Sequence, residues 1–201
     1  VNGRAAIALT LADDFTWLET QDVGTVLDLV LRDTAGAERS VRLVSADFRL
    51  QPVSTATVIT SPQGRRVGYL VLKDFISQAS PQLDAAFANF ARAGVQELVV
   101  DLRYNGGGLV SLSADLASRI AAQAVGQPFT VLRYSDKRRA SDSSFPYTVQ
   151  SNALSMSRVY VLTGQRTCSA SELLVNGLKP FVDVVQIGGT TCGKPVGFVP
   201  W

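Results

Sequence analysis

Three segments of this 201-residue chain combine residue types and spacings that could do chemistry: a serine opening a helix, a glycine run after a strand, and a lysine among glycines. The serine is Ser169, in Cys168-Ser169-Ala170-Ser171-Glu172, after the strand-like run Arg158 to Thr163 and the turn Gly164 to Thr167. Unpaired N–H groups and the positive dipole end at a helix N-terminus stabilise developing negative charge, which suits an alkoxide nucleophile or an oxyanion. The same residues also spell a capping box, Ser169 with Glu172 three positions on, and local pattern alone favours that reading. The glycine run is Asn105-Gly106-Gly107-Gly108, where backbone amides can approach a ligand without side-chain obstruction. It follows neither of the spaced-glycine patterns that bind mononucleotides or dinucleotides. The lysine is Lys194, within Gly188-Gly189-Thr190-Thr191-Cys192-Gly193-Lys194. An ordinary solvated lysine is the plainer reading. To act as a base its amine must be neutral, and an apolar setting with few carboxylates lowers the reference pKa of about 10.4.

Composition narrows the chemistry. The chain has no histidine, so neither a Ser-His-Asp triad nor a Cys-His pair can be assembled from it. Two cysteines without histidine lack the ligand pattern of a zinc site, so no metal and no cofactor is expected. A formal charge of +2, with acids and bases spread along the chain, gives no reason to expect nucleic acid or an anionic membrane as partner. No apolar run approaches the roughly 20 residues of a spanning helix, so no integral membrane segment is expected, and the first residues do not read as a signal peptide.

The elements that must position these segments fall into two textures. Residues 1–52 alternate turn signals with β-rich runs, notably Thr25 to Leu31 and Val41 to Val44 around a polar turn at Asp33 to Glu38, and read as all-β. Residues 53–66, rich in Ser, Thr, Pro and Gly, read as a linker. From Val67 strands alternate with helices. Gly68 to Leu72 is a strand, Ser80-Pro81 opens a helix closed by Gly94, Leu98 to Leu102 is a buried strand, and Ser111 to Ala124 is a second helix. Strands follow at Phe129 to Arg133, Val159 to Leu162 and Val182 to Ile187, with a helix over Ser169 to Leu178. Residues 135 to 157 read as a polar surface loop. Alternation of this kind predicts a layered, mostly parallel α/β domain over 67–201.

Taken together, Asp101 to Gly108, the Ser169-Ala170-Ser171-Glu172 segment and Gly193-Lys194, at the interval separating Ser169 from Lys194, resemble the C-terminal processing, or tail-specific, serine peptidases. The resemblance implies a layered core like that of the Clp peptidases and crotonases, with a Ser-Lys dyad. Neutral Lys194 would take the proton of Ser169, whose oxygen attacks a peptide carbonyl to form an acyl-enzyme that water hydrolyses. The backbone N–H groups of Gly108 and Ala170 would hold the oxyanion. Some members orient the lysine with a glutamine four residues on; this chain has Phe198 there, so the orienting partner of Lys194 is open.

The resemblance also makes residues 1–52 the later part of a PDZ-like domain, a module that captures a substrate C-terminus as an added strand. It implies protein or peptide substrates with apolar C-termini and a periplasmic or cell-envelope location. The chain reads as a piece of a longer protein, its core closing beyond Trp201, so that the isolated piece is not expected to act alone. A folded site of this kind would bring Cys168 near Cys192, and an envelope location permits a disulfide; two unpaired buried thiols are the equal alternative. Two other functions stay open from sequence: a noncatalytic binding protein on the same fold, and a peptide-docking module dominated by the N-terminal segment.

Overall fold

The computed structural model describes residues 1–18 and 22–198, so the last three residues of the expected core range lie outside it. The chain divides into two compact units, Val1–Arg49 and Leu50–Trp201.

The first unit centres on an antiparallel hairpin of β1 (Val26–Arg32) and β2 (Glu38–Val44), in register from Val26 opposite Val44 to Arg32 opposite Glu38. Its turn is locked by Asp33, whose Oδ1 accepts the N–H groups of Ala35 and Ala37, both at 2.9 Å. The all-β expectation is corrected here by a short helix α1 (Ala6–Leu11), which buries Leu9. Six residues in which only Leu9 is buried carry too little apolar periodicity to be read as a helix from the sequence.

The second unit is built on a five-stranded sheet in the order β3-β4-β5-β8-β9. β3 (Val53–Thr60) pairs antiparallel with β4 (Arg66–Leu72), whereas β4, β5 (Glu97–Asp101), β8 (Arg158–Thr163) and β9 (Asp183–Gly188) run parallel. The linker expected over 53–66 is thus an edge strand and a turn. Val53 to Thr60 is rich in β-branched residues, and pairing with β4 outweighs the Pro and Ser signals at its ends. β4 alternates buried Leu70 and Leu72 with partly covered Tyr69 and Val71, as a sheet with one face on the main core requires.

Helices α2 (Ala79–Ala93), α3 (Val110–Ile120) and α4 (Ala170–Leu178) lie within the connections between the parallel strands. In α2, Ala79, Leu83, Ala86, Phe87 and Phe90 form the buried stripe, at the spacing of one helix face. Gly94 ends the helix in a left-handed conformation (φ 60°), and Val95 N–H donates back to Phe90 at 3.1 Å. Leu98, Val100, Val159 and Val161 of the sheet and Leu83, Phe87, Leu116, Ile120, Leu174 and Leu178 of the helices belong to one core, all fully buried. Full burial of each such side chain contributes about 1.5–3 kcal/mol.

The polar stretch 135 to 157 is not simply a surface loop. β6 (Pro128–Leu132) returns through it to pair with β7 (Ser143–Pro146) as a two-stranded ribbon. Tyr147 is buried, edge-on to Phe129 at 5.6 Å and to Phe181 at 5.2 Å, and its hydroxyl donates to Gly177 O at 2.7 Å. Isolated apolar residues in a polar run carry no periodic signal, and only the packing reveals them.

Candidate active site

Three parallel strands deliver the site. β5 leads into the glycine loop, β8 into the turn before α4, and β9 into the lysine loop. Their common direction places all three connections beyond the carboxyl ends of neighbouring strands, where open α/β sheets gather their ligand sites.

Ser169 is the N-cap of α4 and has φ 57° and ψ −116°. A side chain at positive φ costs of order 1–3 kcal/mol and persists only where the surroundings over-determine it. Those surroundings are visible. Cys168 N–H donates to Asn105 O at 3.1 Å, Ser171 Oγ donates to the same oxygen at 3.1 Å, and Ser113 Oγ donates to Ala170 O at 2.9 Å. Below the turn, Thr167 Oγ1 donates to Leu102 O at 2.7 Å. The serine is therefore held at the sharp junction between turn and helix by bonds that tie its neighbours to the loop after β5 and to Ser113 of α3.

The glycine loop presses against this junction. Asn105 is fully buried; its Nδ2 donates to Leu72 O at 3.0 Å and its Oδ1 accepts Gly107 N–H at 2.8 Å. Gly107 has φ +108°, and a Cβ there would lie 2.8 Å from Cys168 O, 2.8 Å from Ser169 Cβ and 3.0 Å from Ala170 N. Gly108 (φ +132°) lies against Phe75, whose carbonyl a Cβ would strike. Phe75 N–H donates to Gly107 O at 2.9 Å and Leu109 N–H to Phe75 O at 2.7 Å. Among the described residues neither the Gly108 nor the Ala170 N–H donates a hydrogen bond.

At the loop's root, Asp101 accepts two bonds from Arg103 Nε (3.0 and 3.1 Å), one from Arg103 Nη2 (2.7 Å) and one from the Tyr69 hydroxyl (2.8 Å). Burial alone would push its carboxyl up, but the Arg103 and Tyr69 bonds more than reverse this and hold it below the usual carboxylate range.

Lys194 lies in a segment without helix or strand, and Glu172 ties that segment to the turn that carries Ser169. Glu172 Oε2 accepts Ser169 N–H at 2.9 Å and Lys194 N–H at 2.9 Å, while Oε1 accepts Gly193 N–H at 2.7 Å. Burial pushes the Glu172 carboxyl up, but the Thr191 hydroxyl and these three N–H groups outweigh it, so the acid stays below its usual range. Cys168 and Cys192 are joined as a disulfide with Cα atoms 5.2 Å apart, and Cys192 N–H donates to Thr167 O at 3.0 Å. Cys168, Glu172 and Cys192 bring three ligand-type atoms within 4.8 Å of one another. With the sulfurs bonded and the carboxylate receiving N–H donors, the trio fastens a loop.

Ser169 and Lys194 line one cavity of about 320 Å³ with Ala170, Leu173, Leu132 and Val196. Lys194 Nζ sits over the Phe198 ring, 4.0 Å from its centroid, and among the described residues no hydrogen bond links it to Ser169 Oγ. The structure thus gathers Ser169, Ala170, Lys194, Cys168 and Cys192 around α4's first turn, with Gly108 in the adjoining loop. The sequence marks the run Asn105 to Gly108 but assigns no separate part to Gly107 or Asn105, and it shows Glu172 only as a local cap. The glycine run and the Glu at the third helical position were the available signals.

A model of peptidase family S41 matches residues 66–198. The carboxyl-terminal-processing peptidase 3 of Arabidopsis thaliana, a chloroplastic protein, is 29% identical over 180 residues, covering 86% of this chain and 34% of that protein. Among solved structures, a putative S41 protease from Bacteroides fragilis superposes with a TM-score of 0.73 at 31% identity, over 89% of this chain and 51% of that one. The photosystem II D1 C-terminal processing protease gives 0.60 at 26% identity, over 96% of this chain and 50% of that one. The chain spans about a third of the length of the curated relatives it matches.

Proposed function

This chain belongs to peptidase family S41, and from that premise we propose that it carries the catalytic centre of a serine-type peptidase in which Ser169 is the nucleophile and Lys194 the general base. The observation that carries the reading is the convergence of Ser169, at a strained helix N-terminus, and Lys194 on one cavity. The reaction needs Lys194 Nζ to leave the Phe198 ring and meet Ser169 Oγ; hydrogen bonds that are long in a ligand-free site tighten when substrate is bound. Lys194 then takes the Ser169 proton as the oxygen attacks a peptide carbonyl. The oxyanion that forms accepts from the undonated N–H groups of Gly108 and Ala170. As this intermediate collapses the Lys194 proton passes to the leaving nitrogen, the amine product departs and an ester remains on Ser169; neutral Lys194 then takes a proton from the attacking water and returns it to Ser169 Oγ as the acid product leaves.

The substrates are proteins or peptides with apolar C-terminal tails. The apolar share of the cavity wall, from Val110, Val131, Leu132, Leu173 and Val196, supports the apolar preference, and the C-terminal processing for which the relatives are named supports the tail. Residues 1–52 act as the later part of a PDZ-like domain that presents the tail, and the protein works in the periplasm or cell envelope, where a disulfide is stable. Among the described residues no helix is long and apolar enough to cross a membrane.

The test uses the full-length protein and an unfolded substrate with an apolar C-terminus, with wild type, Ser169→Ala and Lys194→Ala compared. Loss of cleavage by at least a thousandfold in both variants is expected, and an unchanged rate in either would sink the dyad. Retained peptide binding without turnover in the wild type would mark a binding protein instead.

A further inference from the structure

We propose that the Cys168–Cys192 bridge is a thiol–disulfide exchange site, acted on by a dithiol reductant at Cys192, and that its opening releases the lysine loop and switches the centre off. The proposal rests on the reading of Ser169 and Lys194 as the reacting pair.

The bridge occupies a particular place. Cys168 immediately precedes the nucleophile and Cys192 lies two residues before the lysine, so one covalent bond spans the two halves of the centre. Between the end of β9 at Gly188 and residue 198 the chain has neither helix nor strand. Its root is held where Gly189 N–H donates to Thr163 O at 3.0 Å and Thr163 Oγ1 donates to Gly189 O at 2.9 Å. Farther along, the segment is fastened by the bridge, by Cys192 N–H on Thr167 O, and by the N–H groups of Gly193 and Lys194 on Glu172. Only the bridge is covalent. Once it opens, the Lys194 backbone depends on a few hydrogen bonds in a segment whose residues 192 and 193 face solvent, and such bonds are individually weak against water.

The two sulfurs differ in access. Cys192 is exposed, whereas Cys168 is half-buried under the nucleophile turn. An attacking thiolate therefore meets Cys192 Sγ. The new S–S bond forms there as the Cys168–Cys192 bond breaks, and the electron pair leaves on Cys168, which then takes a proton. Cys168 stands at the N-terminus of α4, where unpaired N–H groups and the helix dipole favour a thiolate, and a stabilised thiolate is the better leaving group. The Glu172 carboxylate opposes that charge, but its oxygens accept N–H bonds from Ser169, Gly193 and Lys194. The second thiol of the dithiol then attacks the mixed disulfide and releases Cys192. The net change is two electrons and two protons passed to the protein, with the reagent closed as its own disulfide.

The experiment treats the oxidised full-length protein with dithiothreitol, follows intact mass, and measures both cleavage and amide hydrogen exchange over residues 189–198. Reduction is expected to add two hydrogens, lower kcat at least tenfold, and speed exchange at Gly193 and Lys194; oxidised glutathione should restore all three. A Cys168→Ser/Cys192→Ser double variant should sit at the reduced level and ignore dithiothreitol. A reduced protein that keeps its rate and its exchange pattern would overturn the proposal, as would two free thiols in the oxidised protein. Absence of cleavage in every state would instead overturn the peptidase reading, and the exchange measurement would still decide the switch.

Discussion

Lys194 hangs by its backbone from Glu172: its N–H donates at 2.9 Å to Oε2, the same oxygen that takes the N–H of Ser169 at 2.9 Å. One carboxylate oxygen therefore fixes the relative position of the two main-chain segments that carry the proposed nucleophile and base. The capping residue of a helix has become the joint between two loops whose sequence separation is 25, the difference between 194 and 169.

Replacing that joint should misplace Lys194 without unfolding the domain. Glu172→Gln keeps the size of the side chain but loses the charge that strengthens bonds from three N–H donors. Because a misplacement of about 1 Å at reacting groups can cost around 100-fold, kcat should fall about 10- to 100-fold with KM little changed. Steady-state kinetics on a peptide substrate would check this, and an unchanged kcat would remove Glu172 from the positioning of Lys194.

The ionisation of Glu172 gives a pH signature in stability. Its carboxyl is held below the ordinary glutamate value of 4.5 in the folded protein, so the folded state favours the ionised form. The resulting stabilisation is fully present above the unfolded value and is lost as pH falls through the lower folded value. Thermal unfolding of wild type and Glu172→Gln should therefore differ at pH 7, and the difference should shrink as pH is taken below 4.5. A gap that is constant with pH would contradict the ionised clamp.

Much of this site is written locally and part of it is not. Ser169 at a helix start, the glycine run after an apolar strand and Lys194 among glycines each carry a local signature, as does the alternation that builds the parallel sheet. Glu172 in the sequence is only a helix cap, because nothing local records that the Gly193 and Lys194 amides return to it. The glycine run does not say which member meets Ser169: the Gly107 Cβ position abuts it, while Gly108 abuts Phe75. β3 was hidden for a related reason. Its turn-rich flanks look like a linker, and the strand exists because β4 supplies its hydrogen-bond partners from Arg66 to Leu72. Tyr147 lies in a polar stretch and is buried by Phe129 and Phe181, residues far away in sequence.

The glycine loop offers a paired test. Gly107→Ala adds a Cβ 2.8 Å from Cys168 O and Ser169 Cβ at φ +108°. Backbone strain of about 1–3 kcal/mol is joined by overpacking of similar size, about 1–3 kcal/mol, and the turn at Ser169 must shift. Gly106→Ala meets nothing within 4 Å and should change stability by less than about 0.5 kcal/mol. Urea unfolding and cleavage rates of the two variants should therefore diverge sharply, Gly107→Ala losing both stability and activity. Equal behaviour would show that the loop does not press on Ser169.

Asn105 supports the same loop from beneath, and its amide is used at both ends. Nδ2 satisfies Leu72 O, and Oδ1 satisfies Gly107 N–H, both in a fully buried setting. Asn105→Ala leaves two buried backbone groups without partners, at about 1–3 kcal/mol each. Asn105→Asp is the sharper probe. It keeps an acceptor for Gly107 but turns a carboxylate oxygen toward the Leu72 carbonyl, where only the protonated acid can donate. Burial beside a carbonyl raises the pKa of the new acid, so the folded state binds the proton more tightly than the unfolded one. The stability deficit of Asn105→Asp against wild type should therefore be smallest at and below about pH 4, grow as pH rises toward the raised folded pKa, and level off above it. Denaturant midpoints across that range would measure it, and a deficit independent of pH would mean that Asn105 does not bridge Leu72 and Gly107 through its amide.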